Sequence, residues 1–267
     1  MLKKLLRGNV RRRIARLEVS GAIDAKTRVN VLKALKTVEE LKFPALLLRI
    51  DSPGGTVGDS QEIYEALKKL QDKGVQIVAS FGNIAASGGV YIAMGAQHIV
   101  SNPGTITGSV GVILRGNNVE RLLEKVGVSF KVIKSGPYKD ILAFDRELTP
   151  EEQHILQDLI DTTYNQFVQA IAKARSLSVS AVRAFADGRI FSGEQAVNLG
   201  VVDRLGTEED ARRWAAQLAK LPSNTKLFDI TPRPASPLMR LIPGQKLMQR
   251  LQFELSTAGL PLWMYWP

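Results

Sequence analysis

The sequence predicts an α/β domain with a largely parallel sheet flanked by helices. Two observations carry this. Across residues 13–206, apolar runs of strand length alternate with amphipathic helical patterns. The run at 44–51 (PALLLRID) is apolar almost throughout, the pattern of a strand buried on both faces.

The remaining elements follow in order. Further strand-like runs cover 14–19, 75–80, 98–101 and 129–134. Between the second and third strands lies a helix. Asp59 and Glu62 give it a capping-box pattern, Ile63, Ala66, Leu67 and Leu70 form one apolar stripe, and Gly74 follows its end. Residues 115–128 read as an exposed helix and connection. A long helix begins after residue 148, with Thr149 as cap, Pro150 at the first helical position and Glu152 completing the box. Its apolar face comprises Ile155, Leu156, Leu159, Ile160, Phe167 and Ile171. From Pro222 onward, Pro232, Pro234, Pro237 and Pro243 leave little room for regular structure before residue 238. The expected organisation is a basic segment 1–13, a main domain 14–221 and a C-terminal tail 222–267.

Composition excludes several function classes. The 267 residues include no cysteine, so disulfides and thiolate chemistry are ruled out, and only two histidines, so a His-rich metal centre is not expected. The formal charge of +10 sits at the ends. Residues 1–16 hold seven basic residues and no acid, residues 220–267 carry a net +4, and the body between them is close to neutral. A nucleic-acid enzyme would concentrate its excess on the groove-bearing domain, so nucleic acid is not expected as a partner.

Basic ends suit either solubilising tails or an anionic membrane surface. No stretch reaches the ~18 apolar residues of a spanning helix, and MLKKLLRGNVRRR lacks the apolar core of a secretory signal. The expected location is therefore cytoplasmic or peripheral on a membrane. Within 238–255, apolar residues alternate with Arg240, Lys246 and Arg250, and Trp263, Tyr265 and Trp266 cluster at the end. That pattern predicts a segment lying in a bilayer interface, the alternative being a tail packed on its own domain or a neighbouring subunit.

Three glycine-rich segments follow strand-like runs: DSPGGTVGDS (51–60), GNIAASGGVYIA (82–93) and SNPGTITGSVGVI (101–113). None has P-loop or dinucleotide-binding spacing. Ser87, between small residues at a helix start, reads either as a cap or as a nucleophile with the Gly88 amide beside it. A nucleophilic serine needs a base. His98 reads as a strand residue and His154 as a helix-surface residue. A lysine could serve if burial lowered its pKa from about 10.4, yet composition alone singles out no lysine.

A resemblance narrows these alternatives. RIDSPGG (49–55), ASGGVYIA (86–93), TITGSVGVI (105–113), KSGPYKD (134–140) and GRIFSGEQAVNLGVVD (188–203) occur in order over some 190 residues. In these segments the chain resembles the signal peptide peptidase A family, membrane-associated bacterial peptidases with a ClpP/crotonase-like fold. The resemblance implies a Ser–Lys dyad, with Ser87 as nucleophile and Lys139 as general base. It further implies that Ser109 orients the lysine amine, that the Gly54 and Gly88 amides form the oxyanion hole, and that Asp51 and Pro53 only shape the loop. No cofactor or metal is implied. The expected substrates are extended apolar peptides such as signal-peptide remnants or membrane-protein fragments. The expected assembly is a homo-oligomeric ring or dome in which a neighbour supplies the lysine. An acyl-CoA enzyme of the crotonase type would need a carboxylate near SGG and a basic CoA pocket, neither of which is evident. An inactive membrane-associated scaffold would be favoured by loss of Ser87 or Lys139, and both are present.

Overall fold

The computed structural model describes Val10, residues 12–232 and residues 260–265. At its centre lies β2 (Ala45–Ser52), paired in parallel with β1 (Ile14–Ser20) on one side and β4 (Gln76–Ala86) on the other. Side chains alternate across a strand, so the nearly continuous apolar run of β2 needs cover on both faces. Leu46, Leu48 and Ile50 face one core, which also holds Val31, Leu35 and Val38 of α1 (Ala25–Leu41) and Ile63 and Leu67 of α2 (Val57–Asp72). Ala45 and Leu47 face a second core, closed by Ala211, Ala215 and Ala216 of α8 (Glu208–Leu218). Those alanines let α8 lie close on the sheet. Each fully buried leucine contributes about 1.5–3 kcal/mol.

The sheet is mixed but mostly parallel. Among the described residues it has eight strands. The first half of β4 pairs with β5 (His98–Ser101), which pairs with β8 (Arg204–Leu205). The second half of β4 pairs with β6 (Ile106–Gly108), and β6 pairs antiparallel with β7 (Ile190–Ser192). The other edge is β9 (Leu227–Asp229), parallel to β1. This strand comes from the proline-punctuated stretch where little regular structure is expected. A second, two-stranded sheet joins β3 (Gly54–Thr56) to β10 (Leu262–Met264) in antiparallel register.

The remaining helices are α3 (Gly88–Ala93), α4 (Glu120–Val126), α5 (Pro150–Arg175), α6 (Val179–Arg183) and α7 (Gly193–Asn198). The cap of α5 is as predicted, with Thr149 and Glu152 bonding reciprocally and Pro150 in the first turn. Its C-terminal half buries Phe167 and Ile171, but Ile155 and Leu159 in its N-terminal half are exposed. His98 is in β5 and His154 is on the surface of α5, as their sequence contexts suggest.

Three expectations are corrected. The helix after β3 starts at Val57 with Thr56 as its cap, so Asp59 and Glu62 form no box. Both instead pair with Arg28 of α1. Residues 129–134 are not a strand. A strand needs a hydrogen-bonded neighbour, and none of the described residues pairs with this stretch, leaving Phe130, Val132 and Ile133 exposed. Finally, residues 238–255 and Trp266 fall outside the described residues, but Trp263, expected at a membrane interface, is fully buried against its own domain. Burying an indole in an apolar pocket is favourable wherever the folded domain offers one, as it does here.

Candidate active site

Ser87 occupies the turn between β4 and α3. Its backbone is at φ 52°, ψ −115°, a region costly for a residue with a side chain. The surroundings hold it there. The Ser87 amide donates to the Gly108 carbonyl at 2.8 Å, continuing the β4–β6 ladder, and the Ser87 carbonyl accepts from Tyr91 at 3.0 Å. The side chain is 1% exposed, and its oxygen has no hydrogen-bond partner among the described residues. A buried hydroxyl without a partner costs about 1–3 kcal/mol. A serine placed to cap a helix would not be left so. The strand–turn–serine–helix arrangement thus matches a nucleophile better than a cap.

The glycines around it are dictated by contact. A methyl group on Gly54, whose φ is +100°, would lie 2.0 Å from the Trp263 carbonyl oxygen and 2.6 Å from the Gly88 nitrogen. One on Gly88 would lie 2.8 Å from Ser60 Oγ. The Gly54 and Gly88 backbones therefore converge beside Ser87. Gly54 donates its amide to Ser52 Oγ at 3.1 Å, and Ser52 Oγ donates to the Gly21 carbonyl at 2.6 Å. For Gly54 to serve an oxyanion, that bond to Ser52 must yield. The Asp51 carboxylate accepts from the Ile84 amide at 3.1 Å across the β2–β4 irregularity.

Ser109 follows β6 directly, at φ +53°, with its amide donated to the Arg189 carbonyl at 2.8 Å. Because Ala86 pairs with Gly108, Ser109 and Ser87 are each one residue beyond a paired position. Lys139 is not part of this cluster. It lies exposed on the arm 115–148 and makes no hydrogen bond with Ser87 within the chain.

Sequence reasoning missed what holds that arm. Arg146 donates to Asp140 Oδ1 at 2.8 Å and to Glu152 Oε2 at 2.7 Å, and Lys134 donates to Asp140 Oδ1 at 2.6 Å. Asp140 adjoins Lys139, so this clamp fixes the backbone carrying the lysine to the first turn of α5. The Arg146 guanidinium, with the Thr149 amide second, holds Glu152 down to about 2, and Arg146 and Lys134 hold Asp140 well below the usual carboxylate range. The only signal in the sequence was an arginine six residues after one acid and six before another.

The second missed element is the chain's own end. Trp263 packs against Tyr91 and Phe167 with ring centroids 4.0 and 4.8 Å apart, and burial pushes the Tyr91 phenol up to about 12. Among the described residues, no group of acidic or histidine side chains could hold a metal ion. No helix among them is long and apolar enough to cross a membrane.

Comparison with known proteins places this geometry. The description "Peptidase family S49" matches residues 69–222, more than half of the chain, and "Clp protease" matches residues 9–103. A Synechocystis protein described as "Putative protease slr0021" is 63% identical, covering 96% of this chain and 97% of its own. An Enterococcus faecium protein described as "Putative signal peptide peptidase SppA" is 37% identical over 84% of this chain and 67% of its own. Among solved structures, a ClpP1 variant from Listeria monocytogenes superposes with a TM-score of 0.53 at 18% identity, covering 79% of this chain and 99% of that one. That likeness shows the ClpP-like fold, and the sequence matches show the family: this chain belongs to peptidase family S49 and is a serine-type protease.

Proposed function

We propose that the chain is a serine endopeptidase with Ser87 as nucleophile and Lys139 as general base, acting on extended apolar peptides such as signal-peptide remnants or membrane-protein fragments. The observation that carries this reading is the strained, buried and unpartnered Ser87 between the two converging glycines. The neutral Lys139 amine takes the Ser87 hydroxyl proton as Oγ attacks the scissile carbonyl carbon. The oxyanion is received by the Gly88 amide and by the Gly54 amide once Ser52 releases it. The lysine ammonium then protonates the departing amine, leaving an acyl ester on Ser87. Water, deprotonated by the same lysine, attacks the ester and frees the enzyme. Ser109 fits the role of orienting the lysine amine.

Because Lys139 lies exposed on its arm, we assign it to the serine of a neighbouring copy in a homo-oligomeric ring or dome. The apolar side chains displayed on the arm and on α5, including Val126, Phe130, Ile133, Phe144, Ile155 and Leu159, support such an interface. The basic ends support peripheral contact with an anionic membrane, testable by co-sedimentation of the full chain with anionic liposomes at low and high salt. The enzymatic reading is tested by fluorophosphonate labelling and mass mapping. Label on Ser87, together with hydrolysis lost in Ser87→Ala, is the expected result. Label elsewhere, or an active Ser87→Ala protein, overturns it.

A further inference from the structure

The strand that leads to Ser87 is irregular just upstream of it. From Ile50 to Ser52, β2 advances two residues, while their partners in β4, Phe81 and Ala85, are four apart. Two residues of β4 are therefore in excess, and the bulge they make, 82–84, lies opposite Asp51. At the same place β4 changes neighbours. Residues 78–80 pair with β5, and residues 84–86 pair with β6. Ser87 comes next. A bulge bends its strand and re-aims the side chains beyond it, and a register slip of one residue would turn Ser87 to the opposite face.

Bulged backbone loses ladder partners, and side chains replace them here. The Asp51 carboxylate accepts from the Ile84 amide at 3.1 Å and from Asn83 Nδ2 at 3.4 Å. The Phe81 carbonyl accepts from Arg49 Nη1 at 2.8 Å and from Asn102 Nδ2 at 3.2 Å. Thr105 Oγ1, which is buried, donates to the Gly82 carbonyl at 2.6 Å. The carboxylate lies directly on the bulge, because a methyl group on Gly82 would stand 2.6 Å from Asp51 Cγ. Glycine at 82 is thus required by close approach. Asp51 holds this backbone without any hydrogen bond to the Ser87 hydroxyl.

We propose that Asp51 is a positioning residue for the reaction. Its carboxylate stands in for the β2 partner that the bulge lacks, fixes the register of residues 84–86 and so aims the Ser87 hydroxyl. The role needs an acceptor at that place, not a charge. This rests on the peptidase reading above. It gives the aspartate of RIDSPGG a task in the neighbouring strand, beyond the shape of its own loop.

The test compares the full chain with Asp51→Ala, Asp51→Asn and Thr105→Val. Alanine removes the acceptor for the Ile84 amide, asparagine keeps an oxygen there, and Thr105→Val releases the Gly82 carbonyl at nearly constant volume. Three quantities are read: kcat and KM on a quenched apolar peptide, the rate of fluorophosphonate labelling at Ser87, and hydrogen exchange in peptides covering 82–87. In Asp51→Ala, kcat and the labelling rate should each fall about a hundredfold with KM little changed, because a small displacement of the nucleophile costs that much in rate. Exchange at 82–87 should rise. Asp51→Asn should restore turnover and slow exchange, and Thr105→Val should lose about tenfold in labelling. An Asp51→Ala protein that turns over like the parent overturns the inference, as does Asp51→Asn impaired as much as Asp51→Ala. So does exchange that rises throughout the sheet with KM raised, which marks a residue that only holds the fold. If Asp51→Ala does not fold, Asp51→Asn with parental turnover and Thr105→Val with slowed labelling support the inference, and parental labelling in Thr105→Val overturns it. A labelled parent with unaffected variants sinks the inference alone. A parent that neither cleaves peptide nor takes label at Ser87 sinks the peptidase reading, and the inference with it.

Discussion

The Ser87 amide donates to the Gly108 carbonyl at 2.8 Å, and this single bond ties the Ser87 turn to the strand that leads into Ser109. The two serines are therefore positioned by one ladder, β4 on β6, rather than by flexible loops. Sites carried on paired strands are held more tightly than sites on free loops, which suits chemistry that depends on small displacements.

Replacement of the proposed dyad separates chemistry from folding. Ser87→Ala and Lys139→Ala should each lower kcat by roughly 10³-fold or more while leaving the melting temperature near that of the parent. Lys139→Arg should be equally inactive, because a guanidinium does not give up its proton at working pH. A fully active Lys139→Arg enzyme would remove lysine as the base.

Subunit exchange tests where the lysine comes from. Mixed oligomers of Ser87→Ala and Lys139→Ala should regain roughly a quarter of parental activity, because each competent site draws one intact residue from each of two copies. Verified mixed oligomers that stay inactive would place the dyad within one chain.

The arm clamp predicts a separable loss. Arg146→Met leaves Asp140 and Glu152 without their guanidinium and frees the backbone beside Lys139. Turnover should fall by about tenfold or more through misplacement of the base, while the melting temperature, set by the sheet and its two cores, changes little. Equal turnover in the parent and the variant would show that the clamp does not position the lysine.

Acid should open the same clamp. Glu152 is held at about 2 in the fold, below its ordinary 4.5. A carboxylate with a depressed folded pKa contributes stability that is fully present above the unfolded value and lost as pH falls toward the folded one. The arm should therefore loosen between about pH 4.5 and 2. Protease cleavage within 115–148, using an acid-active protease, should rise across that window in the parent and be high throughout in Arg146→Met. A parent whose cleavage is flat over the window would contradict this.

Gly54→Ala tests the oxyanion loop. Strain at φ +100° should cost about 1–3 kcal/mol of stability. Displacement of the amides should lower kcat by about a hundredfold. Gly58→Ala, where nothing lies within 4 Å of the added carbon, serves as the control and should match the parent in both measurements.

The sequence by itself determined the parts of this protein whose physics is local or periodic. A nearly unbroken apolar run dictated the doubly covered β2, and Thr149, Pro150 and Glu152 dictated the start of α5. Ordered motifs pointed to Ser87, Ser109, Gly54 and Gly88, which the fold does gather at one place. Only the tertiary structure decided the rest. A six-residue spacing of Asp140, Arg146 and Glu152 carries no periodic signal, and their clamp exists because the arm folds back on the first turn of α5. The run at 129–134 reads as a strand, yet a strand requires a neighbour that composition cannot supply. Aromatic residues beside cations read as membrane-seeking, but Trp263 is buried because a pocket formed by Tyr91 and Phe167, both remote from it in sequence, takes its indole. Hydrophobic burial has no direction along the chain. Which apolar surface a tail finds is settled by what the folded domain leaves open.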